Sequence, residues 1–136
     1  MFELKLEEAL LDKLDEVLAF VDSHLEAADC PMKAQMQIDV AVEEIYVNIV
    51  SYAYAPKTGP AVIRMQMEEA VPGTRITFID WGTPYDPVAK PDPDVTLSAE
   101  ERQIGGLGIY MVKKSMDGMV YAREGDQNVL TITKRF

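Results

Sequence analysis

Hydrophobic positions change period several times along this chain, and the changes mark out its elements. After a short apolar-polar opening, Phe2-Glu3-Leu4-Lys5-Leu6, which reads as a strand, Leu10, Leu11, Leu14, Val17, Leu18, Val21 and Leu25 recur at helical spacing with charges between them. This predicts an amphipathic helix from about Glu7 to Ala28. Asp29-Cys30-Pro31 interrupts it, and Pro31 suits the first turn of a second helix running to about Ala53. The Pro56 to Pro60 stretch, with Gly59, ends that helix. The period then falls to two. Ile63, Met65 and Met67 alternate with Val62, Arg64 and Gln66, and Ile76 and Phe78 alternate with Thr77 and Ile79. Val71-Pro72-Gly73 between them predicts an antiparallel hairpin.

Asp86 to Arg102 breaks both patterns. Pro84, Pro87, Pro91 and Pro93 are half of the eight prolines in the chain, which disfavours both helix and central strand and predicts a long loop or lid. A glycine turn, Gly105 to Gly108, then opens a third helix in which Ile109, Met111 and Val112 are expected to be buried. Met119 to Gly125 and Asn128 to Phe136 read as a second hairpin turning around Gly125-Asp126-Gln127-Asn128. Three helices and a sheet made mostly of hairpins imply an α/β fold: a two-layer α/β sandwich whose mixed, mostly antiparallel sheet carries three main helices on one face.

The chain's 136 residues suit one domain, 1–136, with a real core. The opening residues lack the pattern of a signal peptide, no apolar run is long enough to span a membrane, and the one cysteine, Cys30, excludes an internal disulfide, so a cytoplasmic location is expected. The formal net charge of −10 argues against direct nucleic-acid contact and against an anionic membrane surface. A small anionic ligand stays open, provided backbone N–H groups, a helix N-terminus or a metal ion supplies local positive field.

Three stretches carry candidate chemistry. In Val42 to Val50, Glu44 and Asn48 are one helical turn apart, so their heads share a side of the helix. A carboxylate beside a carboxamide suits a hard cation or a polarised water, and the same spacing also suits a solvated stripe. Glu43, about a hundred degrees away, reads as solvated. In Phe78 to Pro87, Asp80 ends a strand beside Gly82, where it can accept a hydrogen bond from a ligand amine, although an ordinary strand exit looks the same. Trp81 reads as packing surface. In Gln103 to Val112, glycines precede a helix N-terminus, which favours phosphate, but neither a P-loop nor a dinucleotide fingerprint is present.

Taken in order, Glu44-Ile45-Tyr46-Val47-Asn48, Asp80-Trp81-Gly82-Thr83-Pro84 and Gly106-Leu107-Gly108-Ile109 resemble the N, G1 and G2 boxes of the GHKL (histidine-kinase-like) ATPase superfamily, most closely its bacterial anti-sigma factor serine kinase branch. The resemblance covers essentially the whole chain. It implies the Bergerat-type ATP-binding fold with a proline-rich ATP lid at about 84–104, ATP or ADP as ligand, and Mg²⁺. It implies Asn48 as the Mg²⁺ ligand, Glu44 as general base, Asp80 on the adenine amine, Gly82 where the backbone passes the base, and Gly106, Leu107, Gly108 and Ile109 around the phosphates. Arg102 would reach the γ-phosphate from the lid, and Thr131 would hold the adenine end. Pro84 in place of a second glycine is normal for this branch, whereas Tyr52 stands where a histidine is frequent. No phosphoacceptor helix pair is present and the lone His24 sits on the first helix, which disfavours a sensor histidine kinase. The implied function is an ATP-dependent serine/threonine protein kinase that phosphorylates a STAS-type anti-anti-sigma protein and otherwise sequesters a sigma factor, as a homodimer. The alternative is a non-catalytic, nucleotide-dependent binding module; a nucleotide-free interaction domain is a third reading.

Overall fold

The computed structural model of the chain describes residues 1–89 and 106–136. Most of the proline-rich lid, including Arg102, lies outside these residues, as do the side chains of Gly106 and Leu107. The element order is β1 (Phe2–Leu6), α1 (Leu14–Ala27), α2 (Met32–Asn48), β2 (Ala61–Glu68), β3 (Gly73–Asp80), α3 (Gly106–Ser115), β4 (Gly118–Glu124) and β5 (Gln127–Arg135). The five strands lie in the order β1-β2-β3-β5-β4, and each described pairing is antiparallel, so the expected mixed sheet is antiparallel throughout.

Strict alternation decides which sheet face is covered. Leu4, Ile63, Phe78, Leu130 and Tyr121 form one row across the sheet, and Phe2, Met65, Ile76, Ile132 and Met119 form the next row on the same face. This face packs against Val17, Val21 and Leu25 of α1, Ile38, Val42 and Ile45 of α2 and Val112 of α3 in one buried cluster. The helices therefore form a single layer on one face, as the sequence predicts. Each such large side chain contributes about 1.5–3 kcal/mol by leaving water.

The helices start and stop differently from the pattern. Residues 7–10 are not helical; a 3-10 turn, Leu11–Lys13, precedes α1, and Leu11 is exposed. The Ala9 N–H donates to Gly59 O at 2.7 Å, which holds this segment against the loop after α2 instead of in a helix. At the other end, Asp29 takes a left-handed conformation (φ 55°) while the Cys30 N–H donates to Leu25 O at 3.0 Å, a Schellman-type stop. Pro31 is the N-cap of α2, one position before its first turn. Tyr46, fully buried, donates its hydroxyl to Leu10 O at 2.6 Å and ties α2 to the chain entering α1. Beyond Asn48, α2 runs on as a π turn, Ile49–Ala53.

The hairpin turns also move. Gly73 belongs to β3, and the first turn spans residues 69–72. The second turn is only Gly125-Asp126, with Gly125 at φ 62°, so Gln127 and Asn128 are paired strand residues. The expectation that Met111 is buried is not met: Ile109 and Val112 form the inward stripe of α3, continued by Met116 just beyond it, and Met111, out of step with them, is exposed.

Candidate functional site

The core layer ends in polar residues. Continuing the helix-covered face beyond Phe78 and Leu130, the next row across the sheet is Leu6, Ala61, Asp80, Asn128 and Arg123. Asp80 and Asn128 are both only 6% exposed and directly opposite each other. Above them an open cleft lies at the end of the core. Ile45, Asn48, Ile49 and Tyr52 wall it from α2 and its π turn, Ile109 from α3, and Phe78 and Leu130 from the sheet. Thr83, Tyr85 and Pro87 close the side formed by the segment after β3. The walls are thus largely apolar, with a few polar groups that converge.

Asp80 is held tightly. Its Oδ1 accepts the Gly82 N–H at 2.9 Å and the Asn128 Nδ2 at 2.9 Å. Oδ2 accepts no hydrogen bond among the described residues. Asn128 Nδ2 also donates to Thr83 O at 2.9 Å, and Arg123 Nη1 donates to Gly82 O at 2.8 Å. The β4–β5 hairpin thereby clamps the segment that leaves β3.

Gly82 is packed tightly against the chain's own backbone. A Cβ there would lie 2.2 Å from Ala53 O and 2.5 Å from Ala53 C, so the glycine is required by backbone packed at the end of the π turn. That packing includes a hydrogen bond, Thr83 N–H to Ala53 O at 2.8 Å. The π turn thus anchors the strand exit that carries Asp80. The Trp81 N–H donates to the Tyr54 hydroxyl at 2.8 Å from the same region.

Glu44 and Asn48 have different surroundings. Asn48 lines the cleft, and its carboxamide has no hydrogen-bond partner among the described residues. Glu44, one turn earlier and half-buried, lies against Gly108: a Cβ on Gly108 would sit 1.9 Å from Glu44 Oε1. Gly106, Gly108 and Ile109 lie inside the first turn of α3, not in a loop before it. Ile109 is buried and lines the cleft. Glu43 is exposed, as expected.

Thr131 is a correction. It is out of phase with Leu130 and Ile132, so it points to the face of the sheet opposite the helices, where its hydroxyl meets Thr77 Oγ1 at 3.2 Å. The polar residue of β5 that does reach the cleft is Asn128, which the sequence reading placed in a turn. The signal was available: Asn128 is in phase with Leu130 and Ile132 and is the polar residue that ends their row.

Among the described residues no group of three or more acidic, histidine or cysteine side chains could hold a metal ion. Asn48, on the cleft wall, offers one carboxamide oxygen as a ligand. That fits a Mg²⁺ held mainly by phosphate oxygens and water, which takes only one or two protein ligands. It does not fit a metal caged by protein.

Fold and site together define an antiparallel α/β sandwich with a largely apolar cleft at one end of its core. The sequence matches the histidine kinase-like ATPase domain over residues 8–134, and the chain belongs to that family. It is 28% identical over 101 residues to the serine/threonine-protein kinase BtrW of Bordetella bronchiseptica, a match spanning 74% of this chain and 70% of BtrW. Its structure is similar to a chain in the SiaB–SiaC complex from Pseudomonas aeruginosa, with a TM-score of 0.61 over 98% of this chain and 89% of that one. At 13% identity, that likeness is one of fold. Among the described residues no helix is long and apolar enough to cross a membrane.

Proposed function

We propose that this chain is an ATP-binding anti-sigma regulatory serine/threonine protein kinase. In this reading it phosphorylates a STAS-type anti-anti-sigma partner, otherwise sequesters a sigma factor, and works in the cytoplasm as a homodimer. Its family and the serine/threonine kinase named among its relatives support the class. One observation carries the ligand: Asp80 at the base of an apolar cleft, with one carboxylate oxygen held by two N–H donors and the other free to accept.

The base lies between Ile45, Ile49, Phe78, Ile109 and Leu130, with its exocyclic amine donating to Asp80. Asn48 on the cleft wall ligates Mg²⁺, which neutralises phosphate charge when bound. Gly106, Leu107, Gly108 and Ile109 bring the N-terminus of α3 to the phosphates. Glu44 accepts the proton of the attacking hydroxyl. The new bond joins that oxygen to the γ-phosphorus, the β,γ-bridging bond breaks, and ADP leaves with the electron pair.

Calorimetric titration of ATP with and without Mg²⁺ tests the reading. Binding that strengthens with Mg²⁺ and is lost in Asp80→Asn supports it; no binding in either condition overturns it. The placement of Glu44 against Gly108 favours a second reading, a nucleotide-dependent binding module without chemistry. Glu44→Gln separates the two. If partner regulation survives unchanged while transfer to the partner is absent, phosphorylation is not the output.

A further inference from the structure

Asn128 differs from the other polar residues at the cleft because its amide has nothing left to offer a ligand. Nδ2 donates to Asp80 Oδ1 and to Thr83 O, each at 2.9 Å. Oδ1 accepts the Tyr121 hydroxyl at 2.5 Å and the Tyr85 N–H at 3.4 Å. These partners also settle which way the amide points. Reversed, its oxygen would face two acceptors, Asp80 Oδ1 and Thr83 O, and its N–H₂ would face the Tyr85 N–H. Tyr121 sits on the edge strand β4, opposite Leu130 and diagonal to Asn128, so it reaches the amide from the side away from Asp80.

We infer that Asn128, locked in orientation by Tyr121, is the positioning residue that sets Asp80 as a hydrogen-bond acceptor towards the cleft and so selects a base bearing an exocyclic amine over one bearing an oxo group at the same place. The inference deepens the proposed nucleotide reading and rests on it. Both N–H donors to Asp80 land on Oδ1, from Gly82 and from Asn128, so Oδ2 is the oxygen presented to the ligand. An amine donates to it. An oxo group opposes acceptor to acceptor in a buried place, which is costly because neither group can turn to water. Asn128 makes this choice without touching the base, and the hairpin that holds it also holds Thr83 and Gly82 through their carbonyls.

The test compares dissociation constants for ATP and inosine triphosphate, which differ in the 6-amino against the 6-oxo group, by calorimetry with Mg²⁺ present. The unsubstituted protein, Tyr121→Phe and Asn128→Asp are measured, each with a thermal unfolding curve. The unsubstituted protein is expected to prefer ATP by at least about tenfold, the worth of one buried hydrogen bond. Tyr121→Phe, which removes only the hydroxyl, is expected to lower that preference about threefold. Asn128→Asp sets a second carboxyl beside Asp80, and the pair shares a proton, so its preference falls by about tenfold or more and becomes dependent on pH. A merely structural role for Asn128 would weaken both nucleotides alike and leave the ratio and its pH profile unmoved. An unchanged ratio in folded Tyr121→Phe overturns the inference even if Asn128→Asp fails to fold, and so does equal binding of the two nucleotides by the unsubstituted protein. Binding of neither nucleotide to that protein is the separate result that overturns the nucleotide reading and this inference with it.

Discussion

Asp39 is a carboxyl in the wrong surroundings, and its replacement should stabilise the protein in a pH-dependent way. It lies on α2 and faces Asp22 on α1, with Glu26 one turn further along α1 and Gln35 donating to Asp22 Oδ1 at 3.1 Å. Its own Oδ1 is buried without a donor. Burial first, then the adjacent Asp22 carboxyl and the charge of Glu26, push Asp39 up from 3.8 to about 7. Two carboxyls can hydrogen-bond only when one carries a proton. In the unfolded chain Asp39 ionises near 3.8, whereas in the folded chain it holds its proton until about 7. Folding is therefore progressively penalised as pH rises through that window, and the penalty is complete above it.

At about 1.4 kcal/mol per pH unit, the rise from 3.8 to about 7 caps the penalty at about 4 kcal/mol. Part of the side chain reaches solvent, which screens it, so about 1–2 kcal/mol is expected. Asp39→Asn keeps the shape, cannot ionise, and gives Asp22 a donor. Urea unfolding of both proteins at about pH 4, 6 and 8 should show no difference at the lowest pH and a gain of about 1–2 kcal/mol at the highest. The other carboxylates of this acidic chain are common to both proteins and cancel in the comparison. A variant that is no more stable at the highest pH, or that gains equally at every pH, refutes the reasoning.

Three other substitutions probe the packing around the cleft and the helix ends. Gly108→Ala places a Cβ 1.9 Å from Glu44 Oε1 and must displace that carboxylate, so phosphate transfer should fall by about a hundredfold, while unchanged transfer would show that Glu44 is not the base. In Gly82→Ala the clash is with Ala53 backbone at 2.2 Å, which cannot swing aside; a loss of about 2–4 kcal/mol is expected in chemical unfolding, and a loss below about 1 kcal/mol would mean that the π turn yields easily. Asp29→Gly frees a left-handed position from its Cβ penalty and should raise stability by about 0.5–1 kcal/mol, measured by thermal unfolding.

Much of the fold was legible because its elements obey one period at a time. Val17, Val21 and Leu25 keep helical spacing and are fully buried; Ile63, Met65, Ile76 and Phe78 alternate and are buried on one face. What failed were boundaries, where local pattern competes with tertiary bonds. Leu10 and Leu11 extend the helical spacing of α1 backwards, but a backbone bond from Ala9 to Gly59, residues far apart in sequence, holds the chain out of the helix. Asn128 looked like turn composition beside Gly125 and Asp126, yet a two-residue turn needs only those two.

The site was legible where a short motif carries its residues and obscure where it depends on strand register. Asn48, Asp80 and Ile109 were named from motif and spacing, and the structure brings all three to one cleft. Thr131 failed for a reason of parity: Leu130 and Ile132 face the helices, so the residue between them cannot. Asn128 could be found only by pairing β5 with β3, which sets it opposite Asp80. Glu44 and Asn48 show the complementary limit. Helical spacing puts them on one side of α2; Asn48 lines the cleft, and Glu44 lies against Gly108 of α3. The distance from Glu44 to any bound phosphate is then set by where the first turn of α3 rests. That turn is held by the burial of Ile109 and by a glycine that lets the carboxylate approach, so the proposed transfer would depend on the docking of α3 as much as on Glu44 itself.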